Sequence, residues 1–382
     1  MPQVVTHAVL LWLFTRLALA AFTYVTLLMR GASVSPYGLL QAWQRWDANL
    51  YLRMVAQAYA NPKDAGFLPL YPALVSALNQ ITGGGHALAA ALLVGNAGSL
   101  LALIAVALAA RQEIGDAGAL HAVRILAGYP LAFFLAAPYS DGLFLACAAL
   151  TFYCARSGRW SPAATAAFAA ALTRPTALAL VPFLAWEYAS QHGLLIGSPL
   201  RDRLARARAR WPELLAVVGA VPAGFAVFAI FSWWNFGDPL MYPHAQLGFW
   251  GHKLQAPWVT LPALSIRLVG TNPLTRLGAF QWIDIVPFLV FVGIAVLSAR
   301  RLPASFSLYM AVLVAILFAA PNFDSADIFP SNGRYLMEAI PVFLVLGRLA
   351  STRPWLDFTL VSGGFLLQAV FASVYLASRW TG

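Results

Sequence analysis

The sequence predicts an all-α, polytopic membrane protein, and three observations carry that prediction. Of 382 residues, 61% are hydrophobic and only 10% charged. The mean hydropathy is +0.73. The charges gather between long apolar runs instead of being spread evenly. Soluble domains carry roughly 25% charged residues, so the length is read as a single domain, 1–382, of about ten or eleven membrane helices of ~20 residues.

The apolar segments run over 7–29, 87–110, 121–137, 140–155, 161–173, 175–190, 212–235, 280–299, 304–320, 335–350 and 355–378. The first is too long for a signal-peptide core and lacks a basic leader, so it is expected to be retained as an anchor. Residues 69–83, PLYPALVSALNQITG, are too short to span and are expected to lie along the interface. Cys147 and Cys154 lie in one apolar segment. Two helical turns hold them ~10 Å apart, too far for a disulfide.

The net charge of +10 does not point to nucleic acid, because the basic run 201–210 has neither a groove nor interleaved aromatics. With the N-terminus in the cytoplasm, Arg111, Arg156, Arg159, the 201–210 run, Arg300, Arg301, Arg348 and Arg353 all fall inside. The positive-inside rule expects that arrangement. The outer connections are then 30–86, 138–141, 236–279 and 321–334. They hold Asp47, Asp64, Asp141, Asp238, Asp324, Asp327, His244, His252, Lys253 and Arg334, with Arg174 at a helix end. The two large ones are 30–86, with interfacial helices, and 236–279.

Asp47 is the most informative of these residues. Read as a helix, the segment around it stacks Trp43, Trp46, Leu50, Met54 and Ala58 on one apolar face, with Asp47 inside that face. A carboxylate there is either a structural partner of Arg45, Arg53 or Arg334, or a working base made more basic by partial burial. Asp141 in APYSDGLF is either a charge complementing a helix N-terminus or a supporting carboxylate. Arg174 and Arg334 are either counter-ions or phosphate clamps, a task that suits arginine geometry.

Other features carry less. No P-loop, G-x-G-x-x-G turn or H-E-x-x-H motif occurs. His244 and His252 are weak metal candidates, and Asp324 with Asp327 is the pair that would hold a divalent ion. Trp233, Trp234, Phe236, Phe249, Trp250 and Trp258 form either an interfacial belt or a sugar-stacking wall.

WDANLYL, GFLPLYP, GYPLAFFLAAPYSDGLFLA, ALTRPTALAL, GDPLMYPHAQ and GRYLMEAIPVF occur in that order over roughly 40–350. The ordered set resembles the PIG-V family, the second mannosyltransferase of GPI-anchor assembly, and its prokaryotic relatives. Leu50 stands where relatives commonly show Trp, and FLPLYP replaces FFPLYP. The resemblance implies a GT-C fold working on the non-cytoplasmic face, and the plasma (inner) membrane is the expected location. It implies hexose transfer, mannose above all, from a polyprenyl-phosphate donor to a lipid-linked or glycan acceptor. Asp47 is then the catalytic base, supported by Asp141. Arg334, Arg174, His244 and Lys253 are expected at the donor phosphate, and Trp46, Tyr51, Tyr71 and Trp250 at the acceptor or sugar. No cofactor is required and a divalent cation is not expected. The alternative class is a transporter or flippase of a lipid-linked saccharide. Mid-span charges would favour it, and Arg16 is nearly alone in such a position.

Overall fold

The computed structural model describes residues 2–31, 34–195, 199–272, 274–323 and 328–377, with backbone only over 276–281. Every regular element among them is helical. Helix α1 (Pro2–Met29) leads into a connection carrying α2 (Pro36–Gln41), α3 (Asp47–Gln57) and α4 (Leu70–Ile81). Then come α5 (Ala87–Ala127), α6 (Asp141–Arg156), α7 (Trp160–Ala171), α8 (Leu180–Gln191) and α9 (Leu200–Phe236). A second large connection holds α10 (Met241–Phe249) and α11 (Pro257–Gly270). The chain closes with α12 (Arg276–Ser298), α13 (Ala304–Ala319), the single turn α14 (Asn332–Tyr335), α15 (Ile340–Ala350) and α16 (Pro354–Leu376).

Helices α1, α5, α9 and α16 are long and apolar enough to cross a membrane by length and composition. Several expected spans are shorter than the sequence suggested. The segment 121–137 stops being α-helical at Ala127, because GYPLAFFLAAPYS contains Pro130 and Pro138. Neither proline has an N–H for the helical ladder, and a 3-10 turn, Ala132–Leu135, forms between them. Likewise 335–350 is split, with α15 beginning only at Ile340, just ahead of Pro341. The run 87–110 and the helical part of 121–137, up to Ala127, are two helices that meet at Gly115 and together carry the label α5. The φ of 75° and ψ of 176° at Gly115 suit glycine, which has no Cβ to clash.

The order of turns brings the described residues of the connections 30–86, 128–140, 172–179, 237–275 and 320–339 to one end of the bundle. Long-range bonds tie them there. Leu70 N–H donates to the Leu172 carbonyl at 2.9 Å, Asn235 Nδ2 to the Tyr59 carbonyl at 2.8 Å, and Tyr375 Oη to the Trp43 carbonyl at 2.9 Å. The opposite end holds arginine-rich connections, where Arg156 meets Glu113 at 2.6 Å and Glu187 at 2.7 Å. Acids are therefore present at both ends, and several at the arginine-rich end are paired with its arginines.

The core is packed with small residues. Gly95, Gly98, Ser99 and Ala102 of α5 are buried along the face that meets α6. A Cβ at Gly142 would lie 2.7 Å from the Ser99 nitrogen, and one at Gly98 would lie 2.8 Å from the Leu143 nitrogen. These are backbone atoms and cannot rotate away. Gly142→Ala is therefore expected to destabilise the protein by ~1–3 kcal/mol, the usual cost of overpacking. Thermal unfolding in detergent reads this, and an unchanged midpoint would contradict so close an approach.

Both cysteines are free and buried. Segment 69–83 does form a helix, α4, with Tyr71, Pro72 and Val75 buried.

Candidate active site

Asp47 is the first residue of α3. The helix does not extend back to Trp43 as the apolar stripe suggested, because Trp46 turns the chain with a φ of 50°. A bulky residue rarely adopts that conformation, so the surroundings must hold it. Tyr375 grips the Trp43 carbonyl, and Tyr139 Oη donates to the Arg45 carbonyl at 2.9 Å. The buried face of α3 is Ala48, Tyr51 and Met54, while Ala58 is an exposed left-handed cap. Asp47 thus projects from a pinned turn at a helix N-terminus, where a negative charge is favoured.

Four other charged side chains complete a continuous network with it. Arg334 Nη1 lies 3.2 Å from Asp47 Oδ2, and its Nε lies 3.5 Å from Asp141 Oδ1. Arg174 Nη2 lies 2.7 Å from Asp141 Oδ2, and its Nη1 lies 2.7 Å from Glu338 Oε1. The order is Asp47, Arg334, Asp141, Arg174, Glu338. Three carboxylates face two guanidinium groups, a formal surplus of one negative charge. Asp141, Arg174, Arg334 and Glu338 are 3–8% exposed in their side chains, and Asp47 is 16% exposed. Asp47 is therefore the end of the network that opens to the surface.

Each member is placed by local structure. Asp141 opens α6, as its sequence position suggested. Arg174 precedes the 3-10 turn Pro175–Ala179. Arg334 sits on α14, whose Gly333 N–H donates to Asp284 Oδ1 at 2.5 Å and whose Gly333 carbonyl accepts from Tyr129 Oη at 2.7 Å. The Arg334 guanidinium is walled by Phe134, Tyr139 and Tyr335, whose ring centres lie 5.1, 5.2 and 5.1 Å away. Such rings favour a cation while excluding water.

Other sequence-selected residues fall in varied places. Tyr51 is buried, and its hydroxyl meets Ser140 Oγ at 2.9 Å, tying α3 to the residue before Asp141. Tyr51→Phe is expected to cost ~0.5–1.5 kcal/mol through this hydrogen bond. A thermal midpoint equal to wild type would contradict the tie. Tyr71, expected against a sugar, is instead 0% exposed and donates to the Ala91 carbonyl at 2.8 Å. It supports the wall from behind. Arg174, expected as a phosphate clamp, is enclosed by two carboxylates and acts here as their counter-ion.

Trp46 is exposed beside Asp47. Trp250 packs edge-on to Phe67 at 5.4 Å with Lys63 Nζ 4.8 Å from its ring centre, so the second large connection lies against the first. His244 is exposed and meets Asp238 at 2.6 Å, a contact that holds the Asp238 carboxyl below its ordinary range. Lys253 is exposed, in a strand of coil whose backbone follows the end of α13, and His252 Nδ1 meets the Ala320 carbonyl at 3.1 Å. Arg53, a candidate partner of Asp47, pairs instead with Asp64. Asp324 and Asp327 lie outside the described residues. Among the described residues, no group of three or more His, Cys, Asp or Glu is arranged for a metal.

Sequence reasoning missed Glu338 and Asp284. Glu338 stands four residues after Arg334 within GRYLMEAIP, and Asp284 is a lone acid in the apolar run QWIDIVPF. A lone acid inside a span is itself a signal of a buried polar task.

Among solved structures, the chain is similar to ArnT from Cupriavidus metallidurans bound to undecaprenyl phosphate. The TM-score is 0.51 at 17% identity, over 96% of this chain and 69% of that one. It is also similar to the Archaeoglobus fulgidus oligosaccharyltransferase in complex with Zn and sulfate, with a TM-score of 0.43 at 15% identity over 83% of this chain. The match takes in 45% of that longer chain. No family model and no curated protein matches the sequence. The protein is a membrane protein of the GT-C fold. Its polar network lies where α3, α6, α14 and the turns before α8 and α15 converge.

Proposed function

We propose that the protein is an inverting membrane glycosyltransferase that moves a hexose, mannose above all, from a polyprenyl-phosphate donor to an acceptor hydroxyl. The observation that carries this reading is the position of Asp47. It is the one carboxylate of the network that opens to the surface, with Arg334 at 3.2 Å. The undecaprenyl phosphate bound to the ArnT neighbour supports a lipid-phosphate carrier. The PIG-V resemblance of the ordered motifs supports mannose and a lipid-linked or glycan acceptor.

In this scheme Asp47 takes the proton of the acceptor hydroxyl as that oxygen attacks the anomeric carbon. The bond from the anomeric carbon to the phosphate oxygen breaks, and the polyprenyl phosphate leaves with the electron pair. That oxygen has a low proton affinity, so no general acid is needed. Its growing charge calls for fixed cations. Arg334 is the one adjoining Asp47, and His244 and Lys253 stand on the connection that lies against the first loop. Arg174 and Asp141 hold Arg334 in place. Trp46 and Trp250 offer aromatic faces for a sugar ring. No metal is needed for these steps.

The arginine-rich end is assigned to the cytoplasm of a plasma-membrane protein by the positive-inside rule, with the N-terminus on that side and the site on the other. The test supplies membranes carrying the protein with labelled polyprenyl-phosphate mannose and an acceptor lipid extract. A new glycosidic bond of inverted anomeric configuration is expected. Retained configuration, or no transfer from any polyprenyl-phosphate sugar, would overturn the proposal.

A further inference from the structure

Arg16 is the fifteenth of the 28 residues of α1, so it lies ~20 Å from either helix end. Its guanidinium carries five N–H groups. One, on Nη2, reaches Ser99 Oγ at 3.0 Å, while Nε is shut off from the surface with no acceptor. Ser99 has no more to offer, since its hydroxyl also accepts from Trp12 Nε1 at 3.0 Å and donates to the Asn96 carbonyl at 2.8 Å. The Trp12 ring centre, 5.7 Å away, is the other group facing the cation. Among the described residues no carboxylate forms an ion pair with Arg16.

Other arginines that face the interior are neutralised, Arg174 and Arg334 by the site carboxylates and Arg124 by Asp357 at 2.6 Å. A structural role at the end of α5 is already filled, because Gln368 Nε2 donates to the Ala127 and Tyr129 carbonyls at 3.1 and 3.0 Å. Thr15, also beside Arg16, donates to the Trp12 carbonyl at 2.8 Å. Arg16 is left as a cation with unused donors in an apolar surrounding, a costly state unless an anion meets it.

Three further observations say which anion. Arg16 lines a narrow crevice with Thr15, Leu19, Leu135 and Gln368, so an anion of lipid-phosphate size would meet it from the mouth. Leu13, Phe14 and Leu17 on α1 are exposed and apolar, a surface suited to a hydrocarbon tail. The polar site is close by. Ser99, which holds Arg16, lies against Gly142, the neighbour of Asp141, so α5 stands between Arg16 and the network. The turn Ala132–Leu135 stands between them, with Phe134 under Arg334 and Leu135 in the crevice of Arg16. We propose that Arg16 holds the phosphate of a membrane lipid whose tail runs along α1. This site is separate from Asp47 and stands whether or not Asp47 transfers sugar.

The test uses the full protein in liposomes with two photoreactive probes of equal chain length, a polyprenyl phosphate and the matching polyprenol. The phosphate probe is expected to label the α1 and α16 peptides around Arg16 and Gln368 about tenfold more than the alcohol, as charge-assisted bonds allow. Arg16→Met should lower its labelling to the level of the alcohol, and excess inorganic phosphate should not displace it. Equal labelling of wild type by both probes overturns the proposal, and this comparison needs no variant to fold. Undiminished labelling of a folded Arg16→Met protein overturns it as well. Full displacement by inorganic phosphate overturns the lipid assignment and makes the site one for free phosphate.

Discussion

Asp47→Asn is expected to lower sugar transfer by ~10²–10⁴-fold, the usual contribution of a general base. The substitution keeps the shape of the side chain and removes the proton acceptor. It also leaves Arg334 with Asp141 at 3.5 Å, so the buried cation is not stranded. Folding should therefore change little while turnover collapses. The comparison requires initial rates beside a thermal unfolding curve for the same preparation. Transfer at the wild-type rate by a folded variant would remove Asp47 from the chemistry and leave it as a partner of Arg334. A matched loss of stability and activity would point the same way.

The second large effect is on stability. Arg174→Met is expected to destabilise the protein by ~3–5 kcal/mol, the range for breaking a buried ion pair from one side. Asp141 and Glu338 each approach Arg174 at 2.7 Å, and removing it strands the buried Glu338 while Asp141 keeps only Arg334 at 3.5 Å. The penalty arises from uncompensated charge more than from lost attraction. It follows that adding Glu338→Gln to Arg174→Met should recover part of the lost stability, because one stranded charge is then gone. Chemical unfolding in detergent of the two variants and of Glu338→Gln alone reads this directly. If the double variant were less stable than wild type by the sum of the losses of Arg174→Met and Glu338→Gln measured singly, the network would not be a coupled unit.

Much of the site was legible in residue types and much of its wiring was not. Asp47, Asp141, Arg174 and Arg334 stand out in an almost uncharged sequence because each is expensive to place near lipid. Charge alternation alone collected them at one end of the bundle. Which carboxylate meets which arginine depends on how α3, α6, the turn before α8 and α14 approach one another, and no local pattern encodes that. Hence Arg53 was an equal candidate for Asp47, although Asp64 takes it.

The helical stripe through Trp43 and Trp46 failed for a related reason. Periodicity assumes an unbroken helix, whereas the hydroxyls of Tyr139 and Tyr375, distant in sequence, hold the chain in a turn ahead of Asp47. Span lengths failed where proline interrupts apolar runs, as at Pro130 and Pro138. Hydropathy does not register a missing N–H. Tyr71 reads as an aromatic fit for a sugar, but its hydroxyl is spent on the Ala91 carbonyl behind the site.

The most direct test of sugar transfer uses purified protein in liposomes and a polyprenyl-phosphate mannose labelled separately on the sugar and on the phosphate. If Asp47 drives bond exchange at the anomeric carbon, the two labels separate. The sugar label appears on the acceptor, the phosphate label stays with the lipid, and Asp47→Asn abolishes the separation. Movement of both labels together across the bilayer, with no new glycosidic bond, would contradict the transferase reading and establish a lipid-linked saccharide carrier in its place.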